Sequence, residues 1–431
     1  MDHFQLSDGV LHCEGVPLPV IAEAVGTPVY VYSSATIERH ARVFARAVEH
    51  CRSALLCFAV KANPNGAVLA TLAQEGFGAD IVSIGEYRRA VLAGMSTEKI
   101  IFSGVGKTRD EMAEALKGGL YQFNLESFEE AEELSQIAVE VGLEAPVAFR
   151  INPDVDSRTH AKIATGSAYS KFGIPIDQAS TAYARARELP NLKAQGVAIH
   201  IGSQLTDLAP LQSALEKVGA LIRALRQVGH TITDADVGGG LGVPYDPERP
   251  PPPSPGEYGA MVAALTRDWN VRLAFEPGRL ITGNAGVLLS RVVRVKRAVP
   301  DPFVIVDAGM NDLIRPALYD AYHEIEPVEP TRPLITATVV GPVCETGDTF
   351  ATRRRMRGVS AGELLVFRTA GAYAAAMSST YNSRPFAPEV MVRGSKWAVV
   401  RGRQSLDELL TPERLPQWIE TGPTTKHARL G

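Results

Sequence analysis

Cysteine is scarce in this chain of 431 residues. The four cysteines, Cys13, Cys51, Cys57 and Cys344, show neither C-x-x-C pairing nor metal-ligand spacing. The sequence therefore predicts no disulfide framework and no metal site, and it favours a reducing, cytoplasmic compartment. Long apolar runs are also missing, since none approaches the roughly 18 residues that a membrane span needs. The first ten residues lack the basic and apolar regions of a signal peptide, so we expect no membrane association.

An excess of positive charge is absent as well. Lys and Arg number 44 against 48 Asp and Glu, which gives a net charge of −4 and argues against a nucleic-acid partner. The one basic cluster, RRRMR (353–357), is predicted to be a solvated loop or turn, with a phosphate or partner site as the alternative. With 45% hydrophobic residues, the chain is long enough for roughly two domains.

Short β-rich runs alternate with amphipathic helical stretches between residues 34 and 283. Two clear helical patterns are 127–142 and 210–229, where apolar residues recur at three- and four-residue steps. Eight repeats of strand and helix predict a (β/α)8 TIM-type barrel, with an open doubly wound sheet as the alternative. The predicted strands are 55–60, 78–83, 99–104, 122–127, 146–151, 197–202, 234–239 and 272–277.

The rest of the chain is predicted to form a second, mostly antiparallel β-domain. It comprises residues 284–431, where β-type segments replace the helical pattern, together with 1–33, whose run PVYVYS (28–33) adds a strand. The proline-rich segment 246–255 can be neither helix nor central strand, so we expect an extended surface loop there.

Several polar residues and glycines fall at or just past the ends of the predicted barrel strands. They include Lys61, Asp80, His200, Gly239 and Glu276. In a parallel barrel these strand ends share one rim, where the βα loops build the active site. Residues that are distant in sequence should therefore converge.

Lys61 is the most informative of these residues, because a lysine that closes an apolar strand is costly to desolvate. An exposed ammonium at a strand end is the ordinary alternative. A primary amine at a barrel rim can instead form a Schiff base with an aldehyde, and we expect burial to lower its pKa toward the nucleophilic neutral form.

Five motifs occur together around these positions. They are FAVKAN (58–63), HIGS (200–203), GGGLG (238–242), EPGR (276–279) and CETGD (344–348). Together they resemble the pyridoxal-phosphate-dependent amino-acid decarboxylases that share a barrel with alanine racemase. The likeness covers nearly the whole chain, and its motifs are specific jointly rather than singly.

The resemblance implies pyridoxal 5'-phosphate as cofactor, anchored by Lys61. Glu276 would pair with the protonated pyridine nitrogen, which suits loss of carbon dioxide rather than racemisation. Asp80 would bond near the lysine or cap the next helix, and His200 would stack on the cofactor or belong to the core. Ser203 and backbone amides would hold the phosphate. The implied cofactor-binding residues are Lys61, Asp80, His200, Ser203, Gly239, Glu276, Gly278, Arg279 and Tyr373.

The resemblance also implies a substrate whose far end carries a carboxylate and an ammonium group. Two guanidinium groups and a phenol suit the carboxylate, and Glu345 would bind the ammonium. The implied substrate-binding residues are Arg279, Arg315, Tyr319, Glu345 and Tyr373. We therefore expect meso-2,6-diaminoheptanedioate to be converted to L-lysine and carbon dioxide.

Cys344 would act from the partner chain of a homodimer as a candidate proton donor. With Lys61, His200 and Glu276 it completes the implied catalytic set. Residues 160–173 resemble the mobile loop of the family.

Three other functions stay open. They are decarboxylation of ornithine, arginine or a carboxylated polyamine, a non-catalytic pyridoxal-phosphate carrier, and a barrel enzyme without this cofactor. The arginine pair disfavours amine-ended substrates.

Overall fold

A computed structural model describes residues 2–156 and 171–419. Its central feature is a closed parallel barrel of eight strands, because the last strand pairs with the first. This closure excludes the open doubly wound sheet. The barrel strands are Leu55–Ala59, Gly78–Ile81, Ile100–Phe102, Gln122–Leu125, Ala145–Asn152, Leu192–Ala198, Asp234–Asp236 and Arg272–Phe275, and Ile174–Pro175 pairs with the fifth.

Local sequence signals set the helix ends. The helix Phe128–Val141, predicted for 127–142, begins where Ser127 accepts a hydrogen bond from the N–H of Glu130. It ends at Gly142, whose φ of 69° suits glycine. The α-helices are Leu18–Val25, Ser34–Ala47, Gly66–Gln74, Ile84–Leu92, Arg109–Lys117, Phe128–Val141, Ala179–Ala186, Ala209–Gln227, Pro255–Thr266, Arg279–Thr282, Arg315–Tyr319 and Leu406–Leu410. Short 3-10 turns are Val60–Ala62, Thr97–Lys99, Ile176–Gln178, Gly283–Ala285, Ala375–Met377 and Tyr381–Ser383.

A second, mostly antiparallel sheet contains strands from both ends of the chain. Val29–Ser33 pairs antiparallel with Gly286–Lys296 and parallel with Glu389–Arg393. The predicted strand at 28–33 is therefore confirmed. The sheet strands are Val29–Ser33, Gly286–Lys296, Phe303–Val306, Ile325–Pro327, Leu334–Val340, Thr349–Arg357, Leu364–Phe367, Glu389–Arg393 and Lys396–Arg401. A separate three-stranded sheet precedes it, with strands Phe4–Ser7, Val10–Cys13 and Val16–Pro17.

The prediction of a loop or turn for residues 353–357 is wrong. These residues end the strand Thr349–Arg357, which pairs antiparallel with Leu334–Val340. Met356 is buried opposite Ile335, while its neighbours Arg355 and Arg357 are exposed. One buried apolar side chain between two exposed charged side chains fits a strand at the edge of a sheet.

The proline-rich segment contains no helix or strand until its last residue, Pro255, which begins the helix Pro255–Thr266. The preceding Ser254 and Glu257 form a capping box at that helix. Across residues 2–156 and 171–419, no helix is both long and apolar enough to cross a membrane.

Candidate active site

Lys61 lies in the 3-10 turn that directly follows the first barrel strand. Its ammonium forms an ion pair with Asp80, a fully buried carboxylate in the second strand. The next helix is capped by Ser83, so Asp80 is a partner of the lysine and does not cap that helix. The side chain of Lys61 is 37% exposed because it faces internal cavities.

The prediction of a lowered pKa for Lys61 is wrong for the cofactor-free chain. Burial does lower this pKa, but the carboxylates of Asp80 and Glu276 outweigh burial and raise the pKa above its usual value. The lysine is therefore an ammonium held by acids, and it must lose a proton before it can act as a nucleophile.

Glu276 follows the eighth strand and is buried close to two other acids. Burial, together with repulsion from Asp236 and Asp80, raises the pKa of Glu276 well above its usual value. Its Oε1 atom has no hydrogen-bond partner among the described residues. A buried acceptor without a partner is costly, so this atom suits a ligand donor such as a protonated ring nitrogen.

Asp236, at the end of the seventh strand, was missed by sequence reasoning. Its carboxylate accepts hydrogen bonds from Asn124 Nδ2 at 2.8 Å and from the N–H of Gly238 at 2.9 Å, and it bonds to Glu276. Its place at a barrel strand end, next to the glycine motif, was the available signal.

His200 lies two residues beyond the sixth strand and borders the same cavities as Lys61. Burial and the charges of Arg150 and Lys61 hold the pKa of His200 well below its usual range. The neutral ring accepts a long hydrogen bond at Nδ1 from the N–H of Gly239, at 3.5 Å. Its proton therefore lies on Nε2.

A glycine-lined recess beside Lys61 contains the other predicted cofactor residues. Ser203, Gly239, Gly278, Arg279 and Tyr373 border it together with Glu276. Arg279 donates to the hydroxyl of Ser203 at 3.1 Å and lies 4.7 Å above the ring of Tyr373. A Cβ at Gly239 would collide with the carbonyl oxygen of Glu276. Only glycine therefore lets these two backbone segments approach.

A larger adjoining cavity connects Lys61 with the predicted substrate residues. Arg279, Arg315, Tyr319 and Tyr373 border it. Arg315 is buried, and its Nε has no hydrogen-bond partner among the described residues. A buried, incompletely paired guanidinium suits an anionic group of a ligand.

Two further residues at this end were not predicted, Tyr245 and His323. Arg279 donates to the hydroxyl of Tyr245 at 2.6 Å, and Arg315 contacts the Nε2 atom of His323 at 3.0 Å. Tyr245 lies three residues after the end of the glycine motif 238–242, but no periodicity or spacing distinguishes His323 in the sequence.

Cys344 and Glu345 are not brought to this site within one chain. Both are exposed, and neither is among the described residues that border the cavities around Lys61. The N–H of Cys344 donates to Asn382 at 3.0 Å. Most of the segment 160–173 lies outside the described residues; of its last part, Phe172 borders the cavity next to His200.

The residues present fit pyridoxal phosphate. Lys61 supplies an amine, Glu276 an acceptor without a partner, and the recess at Gly239 and Gly278 supplies backbone close to Arg279. Glycine backbone beside a guanidinium suits a phosphate group. All of these groups border the recess, which shares Lys61 and Arg279 with the larger adjoining cavity.

The chain belongs to the pyridoxal-dependent decarboxylases: residues 34–283 match the family model described as "Pyridoxal-dependent decarboxylase, pyridoxal binding domain". Within that family it is similar to diaminopimelate decarboxylases over almost its entire length. The Zymomonas mobilis enzyme of that name is 53% identical over 418 residues, which cover 96% of this chain and 99% of the relative.

Solved structures of that name are similar in the same way. A diaminopimelate decarboxylase from Helicobacter pylori, complexed with L-lysine, is 37% identical with a TM-score of 0.88 and covers 92% of this chain and 98% of its own. One from M. jannaschii, also complexed with L-lysine, is 33% identical with a TM-score of 0.92. The match covers 96% of this chain and 98% of that chain.

Proposed function

We propose that this chain decarboxylates meso-2,6-diaminoheptanedioate at its D-centre, which gives L-lysine and carbon dioxide in the last step of lysine biosynthesis. One observation carries the proposal. The amine of Lys61 and the guanidinium group of Arg279 border both the recess and the larger cavity, while the buried Glu276 borders the recess and Arg315 borders the larger cavity. The similarity to diaminopimelate decarboxylases supports the same substrate.

The first four proposed roles concern the cofactor. Pyridoxal phosphate, when bound, supplies a ring that accepts the electron pair left behind by carbon dioxide. Lys61 would anchor the cofactor through its amine, and Asp80 holds the ammonium of Lys61 in the cofactor-free chain. Glu276 would accept from the protonated ring nitrogen through its Oε1 atom, which has no partner among the described residues. His200 would stack on the cofactor as a neutral side chain, so it would add no positive charge beside the ring.

The recess beside Lys61 is proposed to hold the phosphate group. Ser203 and the backbone amides at Gly239 and Gly278 would donate to the phosphate, and Arg279 and Tyr373 also border the recess. Arg279 also borders the larger cavity, so it lies between the phosphate end and the substrate end.

At the substrate end, Arg279, Arg315 and Tyr319 are proposed to bind the distal carboxylate. A planar guanidinium matches a carboxylate with two parallel hydrogen bonds, and a buried position strengthens them. Tyr373 contacts the substrate as well as the cofactor. A substrate ending in a bare amine would meet two positive charges here, which disfavours ornithine and polyamine derivatives.

Cys344 and Glu345 are proposed to act in the site of a partner chain. Both are exposed on the polar loop that follows the strand Leu334–Val340, so another chain can reach them. In a homodimer with shared sites, Glu345 would bind the distal ammonium and Cys344 would return a proton to the reacting carbon. Lys61 is the alternative proton donor.

The domain division is also a proposal. Residues 34–283 form the cofactor-binding barrel, and 1–33 with 284–431 form the β-domain that contributes Arg315, Tyr319 and Tyr373. A cytoplasmic location is proposed as well, and the reducing compartment expected from the scarce cysteines supports it.

Incubation with meso-2,6-diaminoheptanedioate and cofactor tests the function. We expect equal amounts of L-lysine and carbon dioxide, and much slower release of carbon dioxide from ornithine or arginine. Comparable rates on the amine-ended substrates would refute the substrate assignment, and bound cofactor without any carbon dioxide would indicate a carrier.

A further inference from the structure

The two arginines at the substrate end share one neighbour, Tyr245. Its hydroxyl accepts a hydrogen bond from Arg279 Nη1 at 2.6 Å. Its ring lies beneath Arg315, whose guanidinium carbon is 4.5 Å from the ring centre. Stacking and a hydrogen bond on one aromatic side chain fix the spacing between the two cations, which would otherwise repel each other.

His323 holds the other side of Arg315. It is 1% exposed, and its Nδ1 atom lies 2.8 Å from the carbonyl oxygen of Arg368. A carbonyl oxygen only accepts, so Nδ1 carries the proton and Nε2 presents its lone pair. Nη1 of Arg315 donates to that lone pair at 3.0 Å.

The histidine is rigid and uncharged. The N–H of Arg368 is itself bonded to the carbonyl of Glu324 at 2.8 Å, so the carbonyl that orients the ring is fixed by backbone. Burial and the charge of Arg315 lower the pKa of His323 to about 3. The ring packs edge-on against Tyr245, with centroids 5.4 Å apart and planes at 79°.

This arrangement leaves one donor of Arg315 without a protein partner. His323 accepts from Nη1 and Tyr245 also hydrogen-bonds to the guanidinium, while Nε has no partner among the described residues. A buried guanidinium N–H without a partner suits a carboxylate oxygen of a ligand.

We propose that His323 and Tyr245 are positioning residues that aim Arg315 and Arg279 at the distal carboxylate, and so determine selectivity for substrates that carry one. The inference rests on the proposed function, because it takes that carboxylate as the ligand of the arginines. Neither residue contacts the reacting atoms in this account. Their effect should therefore be confined to ligands with the distal carboxylate.

Two ligands isolate this effect on the cofactor-loaded enzyme. L-Lysine carries the carboxylate at the unreacted centre, and pentane-1,5-diamine is the same molecule without it. Dissociation constants for both are measured by calorimetry on the wild type, His323→Leu, His323→Gln and Tyr245→Phe. His12→Leu is the matched control, because His12 lies on the separate strand Val10–Cys13.

We expect His323→Leu to weaken L-lysine binding on the order of tenfold, since it removes an acceptor from a charged donor. Binding of the diamine should change less than about twofold. His323→Gln, which keeps an acceptor, should recover part of the loss. Tyr245→Phe, which keeps the ring but not the hydroxyl, should weaken L-lysine several-fold. The control should match the wild type.

Equal weakening of both ligands, or unchanged discrimination in His323→Leu, would overturn the inference. Should His323→Leu fail to fold, unchanged discrimination in both His323→Gln and Tyr245→Phe would overturn it equally. A wild type that binds the two ligands alike would instead contradict the proposed substrate. Suppose instead that the wild type binds L-lysine more tightly than the diamine, and that His323→Leu keeps the same ratio of dissociation constants. That result would contradict the positioning role alone.

Discussion

Replacing Glu276 with glutamine should slow the enzyme while leaving the cofactor-free chain at least as stable. The carboxylate is buried, and its Oε1 atom has no partner among the described residues. Pairing with a protonated ring nitrogen is a charged hydrogen bond worth about 1.5–3 kcal/mol. Losing that pairing as charge builds on the ring should lower kcat by about 10- to 150-fold.

Stability should move in the opposite direction, because Glu276 is a carboxyl beside Asp236 and Asp80 whose pKa is raised by burial and repulsion. A carboxyl with a raised pKa binds its proton more tightly in the folded chain than in the unfolded one. Folding stability is therefore greatest below the ordinary carboxyl pKa. It falls as the pH rises from that pKa to the raised pKa of Glu276 in the folded chain. Glutamine removes this loss, so Glu276→Gln should show a higher Tm than the wild type at neutral and alkaline pH.

The assay pairs initial rates of carbon dioxide release with thermal unfolding of the cofactor-free protein between pH 5 and 9. Glu389→Gln is the control, since Glu389 is also buried but pairs with Arg401 at 2.9 Å in the β-domain. It should lower Tm and keep the rate per folded molecule. A Glu276→Gln enzyme with wild-type kcat would refute the role of the carboxylate, and a Tm that falls as in Glu389→Gln would refute the electrostatic argument.

Three further changes test the rest of the site. Lys61→Ala should abolish turnover and the visible absorbance of the bound cofactor, and full turnover would end the mechanism. Arg315→Met should raise KM for meso-2,6-diaminoheptanedioate about 100-fold, for the loss of about 3 kcal/mol from a charged pair. Arg332→Met, which breaks only an exposed ion pair with Glu363, should leave KM unchanged. Gly239→Ala should weaken phosphate or cofactor binding in equilibrium dialysis, because the added Cβ meets the carbonyl of Glu276; unchanged binding would contradict the proposed recess.

The barrel could be predicted because its signals are local and repeat along the chain. Each strand is a short apolar run, and the following helix has its own start and stop signals, as at Ser127 and Gly142. The rim residues followed from topology, since parallel strand ends meet on one face. The strand end RRRMR was missed because Met356 is the one buried residue among 353–357, and the four arginines around it concealed the alternation.

The structure also contains contacts that no local pattern encodes. Burial alone predicts a lowered pKa for Lys61, and the opposite direction arises from Asp80 and Glu276, which the fold brings close from other parts of the barrel. His323 and Tyr245 were missed for the same reason, because their importance depends on how they meet Arg315 and Arg279. These electrostatic effects and contacts depend on distances between segments, which a single sequence does not contain.

The proposed site depends above all on Lys61 being the residue that binds the cofactor, and this can be measured. The enzyme loaded with pyridoxal phosphate is reduced with borohydride, which fixes a cofactor bonded to a lysine, and its peptides are analysed by mass spectrometry. We expect the added pyridoxyl phosphate on the peptide that contains Lys61. Modification of a different lysine, such as Lys107, with Lys61 untouched would contradict it.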